Sequence, residues 1–335
     1  MKYFLGIDQG GTKTAALVCD INGKISGISY DNGLAAVYFE DTDELYIKRI
    51  VSAAENACKM TGIKLTDISA VCGGINGADW EHEYPILTER LSHGLNMVDV
   101  TVLNDCIPAM RGGSANKECA VVCAGSGLNI AVRRGDGKEI IYGYYINNAH
   151  QGGSALGTGA LRKIMEAHIG ICGPTMLTEL ILGYTGHTTA EELMIALTSG
   201  QYKLARKSLA PLLLKAYAKH DSEAVNIVNN FSRETAQYVI AGMRKLDMKE
   251  KPLDIVFSGS VFKDIGVLVA DKIYDCIAAA EPNVHKIHAR YEPVCGAALT
   301  LLDREYDGTI PDDVNSVFNE SAMTHNLLRN LEVVI

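Results

Sequence analysis

The sequence predicts an α/β protein made of two related domains, and three observations lead to that prediction. Strand-like apolar runs alternate with helical stretches along the chain. The layout of strand, glycine-rich turn, strand, turn and strand occurs twice, at 3–30 and at 119–145. A chain of 335 residues is also longer than one hydrophobic core usually serves. An internal repeat indicates duplicated halves, although chance similarity of two hairpin turns stays open as the alternative.

The first repeat begins with an apolar run that ends at Asp8, continues through Gly10-Gly11-Thr12-Lys13-Thr14 and enters a second apolar run. Such a turn is typical of phosphate binding, because glycine lets an anion approach the backbone amides. It is neither a Walker loop nor a dinucleotide fingerprint. An ordinary hairpin is the alternative. Burying the Asp8 carboxylate is costly without a partner, which favours a bound cation; hydrogen bonds to the turn amides are the alternative.

The remaining elements follow from hydrophobic periodicity. We expect a helix over 44–61 ending at Gly62, strands over 68–72 and 98–103, and a second repeat with strands over 119–124, 128–133 and 139–145. A helix over 153–168 and a mostly helical region over 175–246 come next, followed by a strand over 253–257, a strand over 285–289 and a helix from Pro293. Glycine turns follow the strands that end at Ala124 and Phe257, the usual position of ligands in open α/β sheets.

Composition narrows the class of partner. The net charge of −9 and the absence of a dense Lys/Arg block argue against nucleic acid, so small molecules are the expected partners. No signal peptide pattern and no apolar stretch of about 18 residues occurs, which predicts a cytoplasmic protein without a membrane span. The nine cysteines lie mostly in apolar runs and lack zinc-site spacing, so reduced thiols are expected.

An ordered set of motifs carries a family resemblance. The motifs are Gly6 to Thr14, Leu103-Asn104-Asp105, Gly125-Ser126-Gly127-Leu128-Asn129, Ser258-Gly259-Ser260-Val261 and Pro293 to Leu299. Together they resemble the motif set of the actin/hexokinase/Hsp70 ATPase superfamily, and more narrowly its BadF/BadG/BcrA/BcrD ATPase and N-acetylglucosamine kinase branch. The match runs from about residue 3 to about residue 302. The resemblance implies two RNase H-like domains with a nucleotide cleft between them.

The resemblance also implies residue roles for an ATP- and Mg²⁺-dependent sugar kinase. Phosphate and adenosine contacts would fall on the three glycine turns, at Gly10, Gly11, Thr12, Lys13, Thr14, Gly125, Ser126, Gly127, Gly259 and Ser260. Asp105 would be the catalytic base, Asp8 would help hold the metal, and the acceptor would contact Asn76, Gly77, Asp105 and Gln151. These residue types suit phosphoryl transfer, which depends on positioning and charge neutralisation. Asp105 as a helix cap is the alternative.

The chain departs from the family pattern where the sugar is expected to bind. Sugar kinases of the branch carry Gly-Asp-Glu-Gly-Ser before the long helix, and this chain has His150-Gln151-Gly152-Gly153-Ser154. The preceding Trp-Gly-His portion is replaced by Tyr145-Ile146-Asn147-Asn148, and the family's sugar-binding Asn appears as Val37, with Asn32 nearby. Gln151 is neutral where the family has a carboxylate, but it can still bond to hydroxyls. The identity of the sugar therefore stays open.

Three functions compete at this point. The first is an ATP-dependent kinase of an amino sugar such as N-acetylglucosamine, expected by resemblance to be a homodimer. The second is an ATPase that activates a partner enzyme, which the absence of an obvious cysteine pair at a helix start disfavours. The third is a catalytically silent sugar- or nucleotide-sensing scaffold, which Asp105 disfavours. The expected domains are 1–112 and 113–305, with 306–335 as a C-terminal helix that returns to the first domain.

Overall fold

The computed structural model describes residues 1–33, 42–248 and 251–329. Val37, where the family pattern has a sugar-binding Asn, lies outside the described residues. The described chain divides into two compact units, the first formed by Met1–Val121 and Ile287–Arg329 and the second by Val122–Lys286. The domain ranges expected from the sequence stay a prediction, and they differ from this division in the placement of 113–121 and 287–305.

The strands, in chain order, are β1 Tyr3–Gln9, β2 Lys13–Asp20, β3 Ile25–Asn32, β4 Ile68–Ile75, β5 Val100–Asn104, β6 Cys119–Ala124, β7 Leu128–Arg133, β8 Glu139–Ile141, β9 Leu253–Ser258 and β10 Val284–His288. The helices are α1 Thr42–Thr61, α2 Glu83–Leu95, α3 Cys106–Arg111, α4 Gly152–His168, α5 Met176–Thr185, α6 Ala190–Thr198, α7 Ala210–Ala218, α8 Ser222–Lys245, α9 Val267–Ala278, α10 Pro293–Glu305 and α11 Asp312–Thr324.

Two five-stranded sheets repeat one topology. The first has the order β3-β2-β1-β4-β5, and the second has the order β10-β9-β6-β7-β8. If β6 to β10 are renumbered 1 to 5, the second sheet has the order 5-4-1-2-3. This is the order 3-2-1-4-5 of the first sheet, read in the opposite direction. The predicted α/β class and the internal repeat are therefore confirmed, and chance similarity of two hairpins does not explain five strands in matching order.

The first sheet is buried on both faces, which is why the central residues of its inner strands, 4–7 of β1 and 15–19 of β2, are apolar. Phe4 points to one face and packs with Phe318 of α11 and the small residues of α10. Leu5 points to the other face and packs with α1 and α2. Because α10 lies so close to β1, a Cβ added at Gly6 would stand 2.8 Å from backbone atoms of α10. Both α10 and α11 thus cover the first sheet.

The parallel strands of this sheet set the position of its functional edge. β1 pairs in parallel with β4, and β4 pairs in parallel with β5. The chain therefore leaves all three strands at the same edge. In the register, Asp8 lies opposite Gly74, which lies opposite Leu103. Neighbouring strands are about 4.8 Å apart, so the ends of β1 and β5 are about 10 Å apart.

Three strands show the clearest differences from the predicted boundaries. The strand expected to reach Tyr145 ends at Ile141, because the chain turns into a short 3-10 helix over Gly143–Tyr145. β4 continues through its glycine pair to Ile75, since both glycines fit between β1 and β5. β5 starts at Val100, while the fully exposed Val98 lies outside it. The expected helical region is present as α5 to α8. All nine cysteines are free thiols.

Candidate functional site

The first glycine turn joins β1 to β2 and exposes backbone donors. The amide of Gly10 donates to the carbonyl oxygen of Lys13 at 2.9 Å, which closes the turn. Gly11 and Thr12 are exposed, and their amides make no hydrogen bond to other described residues. Thr14 is different, because it is fully buried and its hydroxyl donates to the carbonyl oxygen of Asn32 at 3.2 Å. The turn therefore offers two free amides to an anion, and the hydrogen bond of Thr14 connects the turn to β3.

Charged side chains surround this turn. Lys13 Nζ lies 3.4 Å from Glu292 Oε2, and Arg329 Nε lies 3.5 Å from Glu292 Oε1. The sequence analysis missed Glu292, whose only signal is its position just before Pro293 at the start of α10. Burial raises the pKa of the Asp8 carboxyl to about 6; Lys13 opposes this effect and Glu292 adds to it. The first turn thus combines free amides with four ionisable groups.

Asp8 suits a cation that is held mainly by other ligands. No hydrogen bond joins its carboxylate to the turn amides or to any other described residue. Among the described residues, no three His, Cys, Asp or Glu side chains are grouped to hold a metal. Mg²⁺ commonly binds through one or two carboxylates together with water and substrate phosphates. The arrangement fits that mode of binding, because the buried Asp8 would supply the carboxylate and the free amides of the turn would bind the phosphates that share the ion.

The loop after β4 lies beside the first turn. The amide of Asn76 donates to the carbonyl oxygen of Gln9 at 3.0 Å, and a Cβ on Gly11 would stand 3.7 Å from Asn76 Nδ2. Gly77 has a φ of +89°, the left-handed conformation that glycine adopts readily. The buried Asn104 holds the loop, since its Nδ2 donates to Ala78 O at 3.0 Å and to Asp79 Oδ1 at 2.7 Å.

Asp105 follows β5 at the same edge. It occupies the N-cap position of α3, but its side chain makes no capping hydrogen bond. The capping alternative is therefore not the arrangement in the structure. Asp8 is the last residue but one of β1, and Asn76 and Asp105 directly follow β4 and β5, so all three lie where parallel strands end. The first unit thus brings its predicted metal, acceptor and catalytic residues to one edge of one sheet.

The second glycine turn joins β6 to β7 and is supported by the start of α4. The amides of Gly153 and Ser154 donate to the carbonyl oxygens of Gly125 and Ser126, at 2.9 and 3.0 Å. The amides of Ser126 and Gly127 make no hydrogen bond to other described residues. They are therefore available to an anion, as are those of the first turn.

Gln151 uses both ends of its side-chain amide within this unit. Its Oε1 accepts a hydrogen bond from the amide of Leu128 at 3.0 Å, and its Nε2 donates to the carbonyl oxygen of Ile146 at 3.0 Å. Gly152 follows with a φ of +46°, and a Cβ there would stand 2.1 Å from the carbonyl oxygen of Gly127. This close approach permits only glycine.

The third glycine turn meets the second. Gly259 has a φ of +107°, and a Cβ there would stand 2.2 Å from the carbonyl oxygen of Ala124, the last residue of β6. Ser260 is exposed and begins a short 3-10 helix. The ends of β6 and β9 therefore lie side by side, as the predicted phosphate and adenosine contacts require.

His150 is a buried residue of this region that the sequence analysis did not single out. Its Nδ1 lies 3.0 Å from Glu234 Oε2, and its Nε2 lies 3.0 Å from Thr235 Oγ1. Its ring packs on Phe231, with 4.7 Å between ring centroids. Burial lowers the pKa of His150, and Glu234 opposes that shift. These contacts tie the chain before α4 to α8.

No helix in the described ranges combines the length and apolar character needed to cross a bilayer.

Two relatives align over most of the chain. An N-acetylmuramic acid/N-acetylglucosamine kinase of Clostridium acetobutylicum is 26% identical over 304 residues, covering 89% of this chain and 98% of the relative. An N-acetyl-D-glucosamine kinase of Dictyostelium discoideum is 24% identical over 325 residues, covering 90% and 98%.

Solved structures share the fold. A candidate N-acetylglucosamine kinase of Chromobacterium violaceum has a TM-score of 0.67 and 20% identity, covering 90% of this chain and 99% of that one. A ROK family glucokinase of Streptomyces griseus, solved with glucose and AMPPNP, has a TM-score of 0.58 and 20% identity, covering 89% and 98%. The model of the BadF/BadG/BcrA/BcrD ATPase family matches residues 5–300. The chain belongs to the BadF/BadG/BcrA/BcrD ATPase family.

Proposed function

We propose that this protein transfers the γ-phosphoryl group of ATP to a hydroxyl of an amino sugar such as N-acetylglucosamine. One observation carries the proposal: the two repeated sheets each end in a glycine turn with two free backbone amides. Free amides of this kind are the donors that bind phosphate oxygens. The names of the two aligned relatives, both kinases that act on N-acetylglucosamine, support the choice of acceptor.

We assign roles to the side chains from the family resemblance, and their positions support the assignment. Asp105 acts as the base that accepts the proton of the attacking hydroxyl. Lys13 neutralises phosphate charge, and Asp8 would help hold the Mg²⁺ that the family implies. That ion would reduce the repulsion between phosphate and nucleophile. The phosphate contacts are Gly10, Gly11, Thr12, Gly125, Ser126 and Gly127; the adenosine contacts are Gly259 and Ser260; the acceptor contacts are Asn76 and Gly77. Thr14 supports the first turn from behind.

The alternatives have less support. A silent scaffold would not need a carboxylate at the end of β5, and the names of both aligned relatives are those of kinases rather than of activators of a partner enzyme. A homodimer and a cytoplasmic location stay predictions from the sequence. The nucleotide cleft between the two domains likewise stays a prediction.

A panel assay tests the proposal. The purified protein is incubated with ATP and Mg²⁺, with and without each of several amino sugars and neutral hexoses, and ADP formation is followed. We expect an amino sugar, N-acetylglucosamine first, to raise ADP formation well above the sugar-free rate and to yield its phosphate ester. The same rate of ADP formation with every sugar and with none would contradict a sugar kinase and favour the partner-activating ATPase.

A further inference from the structure

Gln151 stands where sugar kinases of this branch carry a carboxylate, and the structure gives a reason for the amide. Its Oε1 faces a donor, the amide of Leu128, and its Nε2 faces an acceptor, the carbonyl oxygen of Ile146. The reversed orientation of the side chain would place donor against donor and acceptor against acceptor. A carboxylate can accept the first hydrogen bond but cannot donate the second. Only an amide of this length satisfies both partners.

The two partners of Gln151 both follow the second glycine turn in the sequence, one directly and one after β8. Leu128 is the first residue of β7, directly after Gly127, and Ile146 follows the short 3-10 helix after β8. A Cβ added at Gly127 would stand 3.2 Å from Gln151 Oε1, so the side chain lies against the turn itself. Because the Leu128 amide is bound to Gln151, the chain direction after Gly127 is fixed.

The backbone after Gln151 continues the same support. Gly153 and Ser154 donate to the carbonyl oxygens of Gly125 and Ser126, and these hydrogen bonds direct the two carbonyls toward α4. The amides of Ser126 and Gly127 are left for another acceptor. The turn would lose this arrangement if its carbonyl or amide groups rotated. Gln151 and the start of α4 therefore hold a preformed anion site, at which binding costs little ordering of the chain.

We propose that Gln151 is a positioning residue that fixes the second glycine turn for the polyphosphate of ATP, acting through Leu128 and Ile146. This inference rests on the proposed function in that the anion is taken to be the nucleotide. It assigns Gln151 a role different from the acceptor contact expected from the family pattern. Its substitution should change the binding of ATP and leave the Michaelis constant of the sugar nearly unaltered.

Two substitutions separate the two hydrogen bonds. Gln151→Met keeps the length of the side chain and removes both bonds, whereas Gln151→Glu keeps the acceptor for Leu128 and loses the donor for Ile146. The matched controls are Gln237→Met and Gln237→Glu, at an exposed position of α8. Calorimetric titration with ATP gives the affinity, and amide hydrogen exchange of Leu128 reports the state of the turn. Neither readout needs sugar turnover, so failure of this inference and failure of the kinase proposal are distinguishable.

We expect faster exchange of the Leu128 amide in Gln151→Met and exchange near that of the parent in Gln151→Glu. Gln151→Glu should bind ATP about three- to tenfold more weakly than the parent, the usual effect of one lost neutral hydrogen bond, and Gln151→Met, which loses both, should bind it at least as weakly. Parent-like exchange and ATP affinity in Gln151→Met, with a raised Michaelis constant for the sugar, would overturn the proposal and restore the acceptor-contact role. Full ATP affinity in Gln151→Glu, a variant of the parent's size, would contradict the need for an amide.

Discussion

The ligand edges of the two units have the same topology but are built from different side chains. In the first unit, the strand ends carry Asp8, Lys13 and Asp105, with Glu292 of the segment before α10 beside Lys13. In the second unit, the corresponding edge carries Gly125 to Gly127, Gln151, Gly259 and Ser260, none of which is ionisable. The same order of strands thus supports a charged edge in one unit and a neutral edge in the other.

This difference separates two tasks that phosphoryl transfer requires. Accepting a proton and neutralising charge need ionisable groups, and the first edge supplies them. Holding a polyphosphate and an adenine ring in place needs fixed backbone geometry, and in the function we propose the second edge supplies it through amides and close-fitting glycines. Substitutions at the first edge should therefore change rates and show pH or salt dependence. Substitutions at the second edge should mainly change nucleotide affinity, by smaller factors.

The largest effect is expected at the catalytic position of the charged edge. Asp105→Asn keeps the size of the side chain and removes the proton acceptor, so we expect kcat to fall by about 10² to 10⁴ while ATP affinity stays close to that of the parent. Steady-state kinetics and ATP titration measure the two quantities. A variant that retains full kcat would show that Asp105 is not the base.

A smaller loss is expected at the lysine of that edge. Lys13→Met removes a charged donor near the phosphates, and such hydrogen bonds contribute about 1.5 to 3 kcal/mol, so ATP should bind about ten- to 150-fold more weakly. Lys24→Met, at the exposed turn between β2 and β3, is the matched control. The loss should shrink as salt is added, because salt already screens the attraction in the parent. Equal weakening in both variants would argue against a phosphate contact.

The buried carboxylate of the charged edge should make stability depend on pH. Burial raises the pKa of Asp8 from 3.8 to about 6, so the folded state binds more protons than the unfolded state between these values. Stability from this group is thus lost as pH rises through that window, by about 3 kcal/mol. Without Mg²⁺, Asp8→Asn should be about 1 to 3 kcal/mol more stable than the parent at pH 7.5 and nearly equal near pH 4.

Urea unfolding of the parent and the variant at both pH values measures this difference. Asp275→Asn, at an exposed position of α9, is the control and should change stability little at either pH. A decrease in stability on Asp8→Asn at pH 7.5 would mean that the carboxylate makes favourable contacts, contrary to the structure.

The smallest effect is expected at the neutral edge. Ser126→Ala removes a hydroxyl but keeps the backbone amide that we assign to phosphate binding, so ATP affinity should change by about threefold or less. Calorimetric titration of Ser126→Ala and the parent with ATP measures this change in affinity. A loss of more than tenfold would show that the side chain binds the nucleotide, and the contrast between the two edges would then be weaker than we describe.

The sequence predicted the elements that depend on local pattern. The glycine turns, the alternating strands and Asp105 after an apolar run are signals within a few residues, and the repeat gave the second sheet. Glu292 could not be predicted, because it meets Lys13 across 279 residues of sequence. The partners of Gln151 were also inaccessible, since nothing local shows that β8 stops at Ile141 and returns Ile146 to that side chain. The site roles themselves stay predictions until they are measured.

Transfer of a labelled phosphoryl group tests the central claim most directly. The protein is incubated with N-acetylglucosamine and with ATP whose γ-phosphoryl group carries the heavy oxygen isotope ¹⁸O. The masses of the products are measured by mass spectrometry. Our account predicts a sugar phosphate that carries the heavy oxygens, formed by the parent and nearly absent with Asp105→Asn over the same time. Heavy oxygens found only in inorganic phosphate, with the sugar unmodified, would contradict the kinase and show that water is the acceptor.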